Sequence, residues 1–388
     1  MAQINVGTGT AILAVAAAFL GGYLFKTILS WPDAEDMPAS AQRPQANEPA
    51  IRRYAEALAH IEQHAVFSTP IGNLQDMVAA SLKTYLAQKD PYSDFLTRQE
   101  YEKFKSAGSG YYVGIGLDIE KSRNGDIICY PLPDGSAATA GIKPGERLLA
   151  LDGVSSQGKS LPAVVALAIG KAGTDVVVEL ADPSGNRRQV TVTRSTIAGP
   201  AVSEYTFRSA RIIKLANFTP NTRQELDYLV SNWRKNDPII IDLRGCGGGD
   251  FYAAVNSAML FLKKGEPIIS VSGRSGARSY SATVARQPPG QRVFLWQDEF
   301  TASAAEIFIA ALTENARGTS IGRTTAGKGT RQDIIELPDG GVLILTTGYL
   351  ITPHGVRFEG AGLAPMRLVG ESANDTEAFL NKIAASIH

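Results

Sequence analysis

The stretch from Arg211 to Arg244 leaves few folds open. An apolar run, RIIKLANF, is followed by NTRQELDYLVSNWRKND with helical spacing, and then by PIIIDLR, whose isoleucines leave no polar face. A strand apolar on both sides is covered on both sides, and two strands joined through a helix lie parallel. These residues read as a βαβ unit with a fully buried central strand. PIISVSG, RVFLWQDE and TSIGR read as further strands, residues 303–315 as a helix, and DIIELPDGGVLILTTGYL as a hairpin turning at Pro338-Asp339-Gly340-Gly341. An α/β sheet is the expected core of this half of the chain.

At 388 residues the chain is long enough for two or three cores, and 38 acidic against 38 basic side chains leave no nucleic-acid footprint. Cys129 and Cys246 stand far apart without a Cys/His cluster, so neither a zinc site nor a disulfide framework is expected. His60 and His64 have i, i+4 spacing but no third ligand; no metal or cofactor is expected. The first 25 residues carry no charge and residues 11–25 are almost unbroken apolar, which reads as a signal anchor or a signal peptide. An Ala-x-Ala at 39–41 lies well past the apolar core and favours an uncleaved anchor, while Lys26 after the run does not support export of the C-terminal part. A proline-rich linker, 31–49, leads to two helices. Their apolar residues, Ile51, Tyr54, Leu58, Ile61 and then Leu74, Met77, Val78, Leu82, Tyr85, are expected to form buried packing stripes, the second helix ending at Asp90-Pro91.

From Gly108 the texture changes to short strand-like runs between glycine turns: YYVGIGLDI, DIICYPL, GERLLALDG, TDVVVEL and RRQVTVTR, with one helical stretch near Leu161–Ile169. This suggests a partly open β-barrel. GIGL at 114–117, followed by DGSAATAGIKPGERLLALDG at 134–153, resembles a PDZ domain. The resemblance implies that Gly114, Ile115, Gly116 and Leu117 form a loop whose N–H groups receive a chain-terminal carboxylate, the peptide adding to a strand edge. The plainer reading, glycines serving a tight turn, stays open beside it.

In TASAAEIFIAAL, residues 301–312, Ser303 precedes Glu306 by three, the pattern of a capping box, so its hydroxyl is either a helix cap or a nucleophile. A hydroxyl attacks only once a base takes its proton. Lys328, 25 residues on in TTAGKGTRQ, is such a base if desolvation keeps it neutral, and Gln332 is an uncharged partner to aim it. The glycines after IIIDLR and the N–H of Ala304 at a helix start offer donors to a developing oxyanion. In an open α/β sheet such loops gather beyond the carboxyl ends of the strands. GRTTAGKG at 322–329 also fits G-x-x-x-x-G-K. However, Gly329 stands where Ser or Thr must ligate Mg²⁺, and the next residues alternate like a strand, which argues against a P-loop.

NFTPNTRQEL, IIIDLRGCGGG, TASAAEIFIAAL, GRTTAGKGTRQ and TTGYLITPHG, in this order after the PDZ-like segment, resemble the C-terminal processing (tail-specific) peptidases, S41-type serine peptidases with a PDZ domain. The resemblance runs over residues 52–365; with the transmembrane anchor and linker read above at 1–49, it implies a mixed, α/β fold with a helical segment at 50–107, a PDZ domain at 108–196 and a ClpP/crotonase-like catalytic core at 197–388. It implies a serine endopeptidase in which Ser303 is the nucleophile, Lys328 the general base and later acid, Gln332 its orienting partner, and Gly248 with Ala304 the oxyanion donors. The implied partners are protein substrates held by their C-terminal tails, the membrane through the N-terminal segment, and an adaptor or a second copy. The implied location is the cell envelope, with the catalytic part exported to a periplasmic or other extracytoplasmic space. Two residues depart from the family pattern: Cys246 stands in place of the Asn of D-L-R-x-N-x-G-G, and Ala305 in place of a second serine. They keep open an alternative, a membrane-tethered PDZ scaffold with an inactive core. Cys246 is expected as a small apolar filler, Asp242 and Arg244 as loop scaffolding, and His354 outside any triad.

Overall fold

The computed structural model describes residues 48–64, 66, 74–107, 111–122, 124–132, 135–198, 200–208, 210–283, 289–369 and 376–387. The expected membrane anchor lies outside them; among the described residues no helix is long and apolar enough to cross a membrane. The chain divides into a unit of residues 1–71 and a unit of residues 72–388. In the first, helix α1 (Glu48–His64) is the sole described element. Among the described residues Ile51, Tyr54 and Ile61 of its stripe stand exposed, where a buried stripe was expected.

The second unit begins with α2 (Leu74–Ala87), β1 (Asp94–Leu96) and α3 (Arg98–Ala107). The stripe of α2 is only partly covered, with Val78 and Tyr85 exposed, and α3 is a helix the apolar spacing did not announce. Next come β2 (Tyr111–Gly114), β3 (Leu117–Lys121), β4 (Ile127–Pro131), α4 (Ser136–Thr139), β5 (Arg147–Leu151), β6 (Val154–Ser155), α5 (Leu161–Ala168), β7 (Asp175–Ala181), β8 (Arg187–Thr193) and β9 (Ser195–Ala198). β3, β4, β5, β7 and β8 form an antiparallel sheet in that order, β6 pairs with β5, and β2 pairs with β9. Val176, Val178 and Leu180 alternate inward along β7 onto Ile127, Leu148 and Val164, the period-two pattern of a sheet with one buried face. β3 is the edge of this sheet.

The remaining elements are β10 (Val202–Phe207), β11 (Ala210–Leu215), α6 (Thr222–Ser231), β12 (Ile239–Asp242), α7 (Phe251–Ala258), β13 (Pro267–Gly273), β14 (Gly276–Ser281), β15 (Val293–Gln297), α8 (Ala304–Glu314), β16 (Gly318–Gly322), β17 (Thr330–Glu336), β18 (Val342–Ile351), β19 (Arg367–Leu368) and α9 (Thr376–Ile387). The expected βαβ unit is there: β11 and β12 pair in parallel with Ile213 opposite Ile241. They sit in a sheet ordered β10-β11-β12-β15-β16-β19, parallel from β11 onward. All four residues of β12 are buried because both faces are covered. Leu226, Phe261 and Phe308 pack on one side, Trp296 and Phe379 on the other. PIISVSG is a strand, β13, but pairs antiparallel with β18 in a second sheet that also holds β1, β14 and β17. The hairpin β17–β18 turns at 337–341 as expected.

Candidate active site

Because β11, β12, β15 and β16 are parallel, the segments after them leave on one edge of the sheet. The end of β12 is fixed by a buried ion pair: Arg244 donates to Asp242 through Nε (2.9 Å) and Nη2 (2.8 Å), and Tyr205 Oη donates to the same carboxylate at 3.0 Å. Burial would raise Asp242, but the Arg244 bond and the Lys214 charge outweigh it and hold the carboxyl below its ordinary value. The guanidinium lies between Trp296 and Phe379, 5.0 and 4.7 Å from their ring centroids. This is the scaffolding expected of the pair. Beyond it, Phe218 N–H donates to the Gly248 carbonyl (2.7 Å) and Asp250 N–H to the Phe218 carbonyl (2.8 Å), which sets the path of the glycine loop. A Cβ on Gly249 would stand 2.2 Å from the Phe218 carbonyl oxygen, so only glycine fits.

The turn before α8 is tied to that loop. Thr301 Oγ1 donates to the Leu243 carbonyl (2.9 Å), Ala302 N–H to the Cys246 carbonyl (2.9 Å), and Gly245 N–H to Asp298 Oδ1 (2.9 Å). Residues 301–312 are all buried except Ser303, which is partly open. Its backbone is left-handed at φ 54°, a conformation that costs a non-glycine residue about 1–3 kcal/mol and that persists where surroundings impose it. The imposing group is Glu306. Its Oε2 accepts Ser303 N–H at 2.7 Å and Lys328 N–H at 2.9 Å; its Oε1 accepts Gly327 N–H at 2.9 Å and the Thr325 hydroxyl at 2.5 Å. The carboxyl is fully buried, and desolvation raises it to about 7 against those four donors. Two residues 25 positions apart in sequence are thereby held across a single carboxylate oxygen.

Gly248 sits against Ser303. A Cβ built on it would lie 2.8 Å from Ser303 Cβ and 3.0 Å from Ala304 N, so Gly248, Ser303 and Ala304 form one cluster. Cys246 is buried behind them, and desolvation pushes its thiol up to about 12, with the Gly248 N–H opposing, so the sulfur is an apolar filler, not a thiolate. Lys328 Nζ lies 5.5 Å from the centroid of the Tyr92 ring. Gln332 is on β17, where its Nε2 donates to Thr330 Oγ1 (2.9 Å) and Thr346 Oγ1 (3.4 Å). His354 N–H bonds Glu314 at the far end of α8, well away from Ser303.

Gly114, Ile115, Gly116 and Leu117 form the turn from β2 to β3, the first three buried, with Gly116 at φ 65°. The same sheet reaches the Ser303 cluster. Tyr130 on β4 packs at a 49° tilt against Phe300 in the turn before α8, centroids 4.1 Å apart. Asp118 on β3 comes closest: its Oδ2 lies 3.6 Å from where a Gly247 Cβ would be. Asp118 is reachable by solvent yet walled in by protein. Desolvation raises its carboxyl to about 6 against the Ile119 N–H and the Lys328 charge. Neither Asp118 nor the shared acceptor role of Glu306 was evident from sequence. The S-x-x-E spacing flagged Glu306 only as a cap.

Residues 210–368 match the profile of Peptidase family S41, and residues 127–182 that of a PDZ domain. The chain is 31% identical over 279 residues to the carboxy-terminal processing protease CtpA of Bacillus subtilis, covering 71% of this chain and 60% of that protein. It is 31% identical over 289 residues to the carboxyl-terminal-processing protease of Picosynechococcus sp., covering 72% of this chain and 70% of that one. Its fold resembles the photosystem II D1 C-terminal processing protease, with a TM-score of 0.66 at 24% identity over 86% of this chain and 90% of the other. The ordered motifs, the two profiles and the extent of these alignments together make the chain a member of the C-terminal processing protease family, peptidase family S41.

Proposed function

We propose that the protein is a serine endopeptidase acting on proteins captured by their C-terminal tails. Ser303 is the nucleophile, Lys328 the base, Gln332 its partner, and Gly248 with Ala304 the oxyanion donors. The observation that carries this reading is the single Glu306 oxygen accepting both Ser303 N–H and Lys328 N–H. In the reaction, neutral Lys328 Nζ takes the Ser303 proton as Oγ attacks the scissile carbonyl carbon. The resulting ammonium then protonates the departing amine, leaving an ester on Ser303. Water, deprotonated by Lys328 Nζ, attacks the ester; the ammonium returns that proton to Ser303 Oγ as the new C-terminus is freed.

In the same reading residues 108–196 are the PDZ domain, whose loop Gly114–Leu117 receives the tail carboxylate, and residues 197–388 the catalytic core. The Tyr130–Phe300 contact supports a gate, since movement of the PDZ sheet is felt at the turn carrying Ser303. The apolar N-terminal run supports a membrane-anchored protein, and export of the catalytic part rests on the family resemblance alone.

The test compares wild type, Ser303→Ala and Lys328→Ala on a loosely folded reporter with an apolar C-terminal tail. Loss of product in both variants, with tail binding kept, is expected. Tail binding without cleavage by wild type would instead favour the scaffold.

A further inference from the structure

The acids around the site are almost all satisfied. Asp242 has Arg244 and Tyr205, Asp298 has Gly245 N–H and Thr301, Glu306 has four donors, and Glu359 has Gly329 N–H. Asp118 is the exception. Its Oδ1 accepts Ile119 N–H at 2.9 Å, while among the described residues no donor or ion-pair cation reaches Oδ2. That oxygen faces Gly247, next to Gly248 in the Ser303 cluster, and solvent reaches it. A carboxylate with a free oxygen gains a charge-assisted hydrogen bond by taking a cation. In the peptidase reading a substrate whose scissile carbonyl meets Ser303 runs beside this oxygen, because Gly247 adjoins the Gly248–Ser303 cluster.

We propose that Asp118 is a specificity-determining residue that receives a lysine or arginine side chain of the substrate next to the scissile bond. The assignment rests on the peptidase reading above. It has a second consequence at Lys328, whose charge Asp118 feels. An anion beside a lysine favours the ammonium form, which cannot act as a base. A substrate cation paired with Asp118 offsets that anion, so a basic substrate both binds and favours neutral Lys328.

The experiment uses the full-length protein and reporters whose tails carry Lys, Gln or Glu at each position flanking the mapped cleavage site. At one position Lys is expected to exceed Glu in kcat/KM by about tenfold or more, as for a charge-assisted contact, and to lose that advantage at high salt. Asp118→Asn should bring the ratio near one, and Asp118→Lys should invert it. Wild-type cleavage that depends on Ser303 but shows no Lys preference at any position overturns this inference alone. An equal gain on every tail in Asp118→Asn makes Asp118 a restraint and also overturns it, as does an equal loss. No cleavage by wild type removes the peptidase reading and this assignment with it.

Discussion

The rings of Tyr130 and Phe300 lie 4.1 Å apart at 49°, joining β4 of the PDZ sheet to the turn that presents Ser303. An aromatic pair of this kind contributes about 0.5–1.5 kcal/mol beyond its buried area. Tyr130→Ala should therefore release the PDZ sheet from that turn and raise hydrolysis of short peptides without a tail by about two- to tenfold. Steady-state kinetics on such a peptide checks this. A rate that stays flat in a folded variant would mean that the contact does not restrain the site.

Glu306→Gln keeps the shape but replaces one acceptor oxygen with an amide NH2 group, a donor that faces N–H or O–H donors. Each lost bond to a buried carboxylate costs about 1–3 kcal/mol, so kcat should fall by about 100-fold or more while tail affinity is retained. Single-turnover cleavage and equilibrium tail binding separate the two effects.

The same carboxyl gives a pH signature. Folded Glu306 titrates at about 7 against 4.5 unfolded, so between those values the folded state binds more protons. Stability from this group is greatest below 4.5 and is lost as pH rises through about 7. Denaturant unfolding across pH 4.5–7.5 should show a downward slope in wild type that is shallower in Glu306→Gln. Equal slopes would mean that the raised value is not a property of this residue.

Gly248→Ala puts a methyl 2.8 Å from both Ala302 O and Ser303 Cβ, at φ 107°. The loop must shift away from Ser303, and kcat should fall by about 100- to 1000-fold, the cost of removing an oxyanion donor. The melting temperature should change little compared with that drop, because the strands flanking the loop stay paired.

Arg244→Ala leaves Asp242 buried with Lys214 3.6 Å away and Tyr205 as its remaining partners. Breaking a buried pair from one side costs about 3–5 kcal/mol, which a denaturant titration should read directly. Replacing both residues with apolar ones of similar volume should recover much of the loss.

The sequence spelled out the strands far better than their partners. PIISVSG and RVFLWQDE are similar apolar runs, yet β15 lies between β12 and β16 while β13 joins β18, whose pairing residues come about 80 positions later. Apolar alternation reports that a face is buried, not against what. The stripe of α1 failed for the same reason, since spacing identifies an apolar face but cannot supply a cover. Ser303, Lys328, Gly248 and Ala304 stood out in the sequence because each lies in a short motif, and the structure gathers Gly248, Ser303 and Ala304 and ties Lys328 N–H to Glu306. Glu306 was half-readable: its bond to Ser303 is local, but those to Thr325, Gly327 and Lys328 come from a loop some 20 residues on. Asp118 was silent, because the residue it faces, Gly247, is 129 positions away.

The shared carboxylate of Glu306 also sets a timetable. Ser303 is made before Thr325, Gly327 and Lys328, and the loop carrying them is closed by Glu359 through Gly329 N–H. Contacts between residues so far apart in sequence form late in folding. A chain emerging from the ribosome thus carries Ser303 and Glu306 before the loop that supplies three of the four donors to that carboxyl, so this geometry is complete only after the last of these segments has docked.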